Sequence, residues 1–172
     1  MAKVAFILDQ MYEDSEFRVP YERVTEAGHE PVVIGLEAGK KLEGKSDGDK
    51  VTTEVAAGDV SADDFAALVI PGGYSPDKIR TDPQMVQLVK DINQAGKPVA
   101  AICHAGWMLA EADIISGKTV TSWPSIKTDL INAGAEWVDQ EVVEDGNLIT
   151  SRKPDDLDAF TKALLSQIEQ TT

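Results

Sequence analysis

The chain has 172 residues and a mass of 18.5 kDa, enough for a single domain, residues 1–172, with a substantial core. Thirty acidic against sixteen basic residues give a formal charge of −14 that no Lys/Arg cluster interrupts, which excludes nucleic-acid phosphates and anionic membrane surfaces as expected partners. The single cysteine, Cys103, excludes an internal disulfide framework and agrees with a reducing cytoplasm, and no run approaches the roughly 18 apolar residues of a membrane span.

Taken in chain order, "KVAFIL" is a continuous apolar run with no cleavage pattern behind it and reads as a first, buried strand. "EFRVPYERVTEAG" is helical in its later part and stops at Gly28, with Pro20 placed near a first helical turn, and "EPVVIGL" is a second strand. Residues 38–64 are rich in Gly, Asp and Lys and read as an exposed excursion with one short strand in "KVTTEV". "SADDF" then looks like a helix start capped by Ser61. The buried strand "ALVI" runs into Gly72-Gly73, and "PQMVQLVKDINQAG" is an amphipathic helix ended by Gly96. "KPVAAIC" is the next strand and "HAGWMLAEADII" the next helix. "KTVTSW" follows, then the helical "PSIKTDLINAG", a hairpin turning at Asp145-Gly146, and the closing helix "PDDLDAFTKALLSQIEQ". Continuous apolar strands alternating with helices predict a mainly parallel sheet covered on both faces, an α/β sandwich.

In such a sheet ligands bind beyond the carboxyl ends of the strands. Three turns qualify, at residues 13–16, 71–77 and 103–104. Cys103 sits on a tight strand-to-helix turn, the arrangement that exposes a nucleophile, and a helix N-terminus there would depress its pKa. The competing reading is that of a free cysteine filling the end of a buried strand. His104 has the pKa range of an acid or base, but neighbours entering a helix point in different directions, so a direct pair with Cys103 needs unusual turn geometry. His29 follows a helix stop and reads as a surface residue. The amides of Gly72, Gly73 and the Cys-His turn are candidate donors to a developing oxyanion. Glu13, Asp14 and Glu16 follow the first strand. A carboxyl there that leans toward Cys103 in a dry site would have a raised pKa and could hold or shuttle a proton. There is no GxGxxG, no P-loop and no zinc-ligand spacing, so neither cofactor nor metal is expected.

The segments "MYEDSEFRVPYERVTEAGHE", "ALVIPGGYSPDKIR" and the long run from "KPVAAICHAGWML" through "INAGAEWVDQEVV" to "SRKPDDL" together resemble the PfpI family of intracellular cysteine peptidases and general stress proteins, over nearly the whole chain. The resemblance implies a flavodoxin-like three-layer sandwich related to class I glutamine amidotransferases and to the Parkinson-disease-associated stress proteins, with Cys103 on the nucleophile elbow. It assigns Glu16 as the acid hydrogen-bonded to the cysteine, Glu13 as a second acid of this branch, and Trp123 to a place where an aromatic residue, often Tyr, lines the pocket. It makes His104 the triad histidine, with its acid supplied by a neighbouring subunit from the loop after "PGG". That place here is Asp77, one methylene shorter than the Glu of peptidase-like members. After His104 this chain also has Ala105-Gly106 where the common pattern continues Gly-Pro. A shared site of this kind implies a homodimer or a hexamer built from it.

The expected function is therefore a stress-related, cofactor-independent cysteine enzyme. It would convert methylglyoxal or its early adducts, in the manner of a glyoxalase or deglycase, or cleave peptides. The competing, non-enzymatic reading is an oxidative-stress sensor or holding chaperone that uses the same reactive thiol.

Overall fold

The computed structural model describes residues 1–171. Along the chain it forms β1 (Lys3–Ile7), α1 (Asp14–Glu26), β2 (Glu30–Gly35), β3 (Lys41–Glu43), β4 (Lys50–Thr52), β5 (Val55–Ala56) and β6 (Ala67–Ile70). Then come α2 (Ser75–Ile79), α3 (Pro83–Gln94), β7 (Val99–Ile102), α4 (Gly106–Glu111), β8 (Thr119–Val120), α5 (Lys127–Asn132), β9 (Glu136–Trp137), β10 (Val143–Asp145), β11 (Leu148–Ser151) and α6 (Leu157–Thr171).

One seven-stranded sheet has the order β10-β11-β7-β6-β1-β2-β5, and every neighbouring pair in it is parallel except β10 with β11. The inner strands read as unbroken apolar runs because both faces are covered. Val4, Phe6 and Leu8 point to the layer of α1 and α6, against Phe17, Val24, Phe160 and Leu164. Their alternates Ala5 and Ile7 point to the other layer, with Met85, Leu88, Ile92, Met108 and Leu130 from α3, α4 and α5. This is the α/β three-layer sandwich expected from the sequence. From β1 the chain crosses to β2 on one side and later returns to β6 on the other. The loops after β1 and β6 therefore diverge at a switch point, with the end of β7 beside them.

Several local details differ from the sequence reading. Helix α1 starts at Asp14, so Pro20 is its seventh residue rather than part of its first turn. The proline is held there because Phe17, Pro20 and Val24 form the buried stripe of that helix, and packing outweighs the one backbone bond that proline cannot make. The excursion holds three strands, not one: "KVTTEV" is split between β4, which pairs antiparallel with β3, and β5, which edges the main sheet. Ser61 caps only the 3-10 turn Ala62–Asp64, through a reciprocal capping box with Asp64. The helix after Cys103 begins as a 3-10 turn, Cys103–Ala105, and its α-helical part has six residues. Asp145 still pairs with Leu148, so the hairpin loop is Gly146-Asn147, with Gly146 at φ 60° in the first loop position.

Phe17 joins α1 to the sheet, packing edge-on against Phe6 at 5.8 Å and Tyr12 at 5.3 Å between ring centroids. Phe17→Ala is expected to cost about 3–5 kcal/mol of unfolding free energy, read as a lower denaturant midpoint. A loss below about 1 kcal/mol would show that this face repacks freely.

Candidate active site

The loops after β1 and β6 are laced together by their backbones. Glu13 N–H donates to the Gly72 carbonyl (3.1 Å), Tyr74 N–H donates to the Met11 carbonyl (2.8 Å), and Tyr12 bridges Gly73. The Asp9 N–H reaches the Ser75 hydroxyl at 2.8 Å. Such close approach needs glycine. A Cβ on Gly72 would strike a Glu16 oxygen, Cys103 Cβ (2.8 Å) and the Ile102 carbonyl (2.9 Å). Gly73, at φ 82°, would place one 2.7 Å from the Met11 carbonyl.

Glu16 is 0% exposed, and its Oε1 accepts the Gly72 N–H at 2.9 Å. The Gly72 amide is thereby committed to Glu16 and is not free to meet a substrate. Oε2 has no hydrogen-bond partner among the described residues. Burial pushes the carboxyl up to about 8, against the pull of the Gly72 amide, so it keeps its proton at neutrality. Cys103, at the end of β7, has φ 63°, a left-handed conformation rare for a side chain with a Cβ. Its thiol is not depressed as the helix-terminus argument requires. Burial, and second the charge of Glu16, push it up to about 12, although the amides of His104 and Gly73 and the Lys45 ammonium pull the other way. The reasons are the dry setting and a helix too short to carry much dipole. Thiol and acid thus share protons, and the first to leave belongs to the pair.

The strained turn also supplies the geometry that adjacency alone denies: Cys103 Sγ lies 3.3 Å from His104 Nδ1. His104 Nε2 lies 3.3 Å from Ser125 Oγ, and the imidazole packs 5.2 Å from the Trp107 ring. Burial, then the Lys45 charge, holds the imidazole below its ordinary pKa. Glu13, Glu16, Gly73, Cys103, His104 and Trp123 line one hollow of about 250 Å³ together with Lys45, Tyr74 and Pro154. Asp77 is not among them. It lies on the exposed side of α2 and lines a separate surface depression with Arg80 and Glu111.

Lys45 and Ser125 were not singled out in the sequence. Lys45 pairs with Glu13 at 3.2 Å, in a loop gathered onto Asp14, whose carboxylate takes the N–H groups of Ser46, Asp47 and Asp49 at 2.8, 3.0 and 2.8 Å. Burial would raise the Asp14 pKa, but those amides win and hold it below the usual carboxylate value. The signal was "GKSDGD", a turn-rich stretch with a lone lysine, whose clamp lies some 30 residues away in sequence. Among the described residues no group of three or more His, Cys, Asp or Glu could hold a metal, and no helix is long and apolar enough to cross a membrane.

A parallel sheet whose switch point carries a cysteine on a strained elbow beside a buried acid defines a class of α/β proteins. The DJ-1/PfpI family model matches residues 2–167, and the chain belongs to that family. It is 44% identical over 169 residues to general stress protein 18 of Bacillus subtilis, with 98% of each chain covered. It is 44% identical over 164 residues to protein/nucleic acid deglycase 2 of Escherichia coli, with 95% of each covered. Among solved structures it is similar to a protein from Anabaena variabilis with DJ-1/ThiJ/PfpI-like and ferritin-like domains, at a TM-score of 0.97 and 41% identity. That match covers 98% of this chain and 48% of the two-domain protein, so the chain spans about half of it.

Because the folded-state pKa of Glu16 is raised from 4.5 to about 8, the neutral acid's contribution to stability is full below pH 4.5 and is lost as the pH rises toward 8. Denaturant midpoints of wild type and Glu16→Gln are expected to separate over that interval, with the wild type losing ground, and to run parallel above it. Curves that stay parallel from pH 4 to 9 would mean that the buried acid titrates as it does in the unfolded chain.

Proposed function

We propose that this chain is a cysteine-nucleophile enzyme that converts α-oxoaldehydes such as methylglyoxal, or their early adducts, without a cofactor. The observation that carries this reading is the pairing of a half-buried thiol with a fully buried carboxyl, one oxygen of which is unpartnered. As the sulfur adds to the aldehyde carbon, the ionised form of Glu16 takes the thiol proton and hands it to the carbonyl oxygen, which becomes the hemithioacetal hydroxyl. A proton then leaves the former aldehyde carbon, another is delivered to the adjacent carbonyl carbon, and the hydroxyl proton moves to that second carbon's oxygen, giving a lactyl thioester. Water hydrolyses it, releasing lactate, and the departing sulfur takes its proton back through His104 Nδ1, 3.3 Å away. The Gly73 and His104 amides, which face the sulfur, stabilise negative charge there in transit. Tyr74 (61% exposed) and Trp123 (38% exposed) form an aromatic rim where the organic part of a substrate rests.

A second reading, peptide hydrolysis, is favoured by the 3.3 Å contact between Cys103 and His104. It asks more, because an amine leaving group must be protonated by an oriented imidazolium. Asp77 would reach His104 only from another copy of the chain, in a homodimer or hexamer. Simple peroxide sensing is less well supported, since a thiol pushed up to about 12 offers little resting thiolate to an oxidant. The acidic chain with its lone free cysteine suits action in a reducing cytoplasm.

Methylglyoxal consumption with lactate detection tests the proposal. Wild type is expected to turn over with kcat/KM rising through a pH near 8 as the acid ionises. Cys103→Ser and Glu16→Gln are expected to fall to background, while His104→Ala loses far more peptide hydrolysis than aldehyde conversion. Unchanged turnover in Cys103→Ser would overturn the mechanism.

A further inference from the structure

We infer that the Ser125 hydroxyl is the orienting partner of His104, fixing the imidazole as the Nε2–H tautomer so that a bare Nδ1 faces the Cys103 thiol. The inference rests on the reading that His104 exchanges a proton with that sulfur.

Burial keeps the Cys103 thiol protonated at neutrality, so the sulfur has one S–H to give, and His104 Nδ1 lies 3.3 Å away. A neutral imidazole that accepts at Nδ1 must carry its proton on Nε2. That nitrogen lies 3.3 Å from Ser125 Oγ, an oxygen able to accept it while the hydroxyl proton turns to solvent. No carboxylate takes this place among the described residues.

The segment bearing Ser125 is built to stay there. Trp123 N–H donates to the carbonyl of Cys103 itself at 3.2 Å, which ties the 3-10 turn Pro124–Ile126 to the elbow. Gly106 brings α4 against the same segment: a Cβ there would lie 3.3 Å from Ile126 Cδ1 and 3.0 Å from Leu130 Cδ1. From the next turn, Asp129 accepts the Trp107 indole N–H at 2.9 Å, and that indole packs on the imidazole. One segment thus sets both the position and the hydrogen bonding of the ring. A hydroxyl at Nε2 polarises the imidazole less than a carboxylate would. His104 is therefore suited to take up and return a thiol proton and is a weaker source of lasting imidazolium for an amine leaving group.

The chain has only two histidines, so in a His29→Asn background the ring nitrogens of His104 can be read directly in long-range proton–nitrogen spectra of labelled protein at pH 8. Near-complete Nε2–H tautomer is expected with Ser125 and with Ser125→Thr, relaxing in Ser125→Ala toward the mixture of a free imidazole. In parallel, Ser125→Ala is expected to lower kcat for methylglyoxal about three- to tenfold, the effect of one ordinary hydrogen bond, with KM changed less than about twofold. A predominant Nδ1–H tautomer in wild type, or identical tautomer populations in wild type and Ser125→Ala, would overturn the inference. If methylglyoxal is not turned over at all, the carbonyl reading fails, and the nitrogen spectra still decide the role of Ser125.

Discussion

The hydrogen bond from the Gly72 amide to the Glu16 carboxyl holds the site together. It joins a helix that follows β1 to a loop that follows β6, across the point where the sheet's connections diverge. The Gly72 carbonyl is engaged as well, by Glu13, so the peptide units on both sides of that residue are tied to the neighbouring loop. Cys103 then packs so closely on Gly72 that no side chain fits between them. Acid, thiol and their amide donors therefore take their positions from one another rather than from separate supports. The burial that makes this junction firm also keeps a proton on Glu16, because an ionised carboxylate there would lose its water and gain a single good donor.

The sandwich was legible because its signal is repeated and local. "KVAFIL", "ALVI" and "KPVAAIC" are apolar without a helical period, and Gly28 and Gly96, both at positive φ, end helices where the pattern says they should. Where the reading failed, tertiary packing had overruled a local preference. Pro20 lies mid-helix because its ring is buried, and "KVTTEV" divides because its two halves serve different sheets.

In the site, backbone position was readable and chemical environment was not. The turn at Cys103 could be placed from "AAICHAG", but its pKa argument assumed a helix dipole acting on an exposed sulfur. The structure gives a dry sulfur beside a buried acid, and desolvation outweighs a dipole from six helical residues. Lys45 was hidden for a different reason. Its loop has no periodicity of its own, and its order comes from a single carboxylate, Asp14, that collects three amides from a distant stretch of chain. In a protein of net charge −14, that clamp delivers a cation to the mouth of the hollow, where it opposes the rise in the Cys103 pKa and deepens the fall in that of His104.

The lacing of the loops has a consequence for how such a protein can diverge. Glu16 and Cys103 both close on Gly72, one by a hydrogen bond to its amide and the other by packing, and Gly73 lies tight against residues 11–13, so exchanging any one of them disturbs the junction. Tyr74, Trp123, Lys45 and Pro154 surround the same hollow, but their side chains take no part in that lacing. Mutation can recompose this outer ring one residue at a time while the reacting groups stay where they are. The reaction is inherited with the folded chain, whereas the choice of what enters is left to four side chains hung around it.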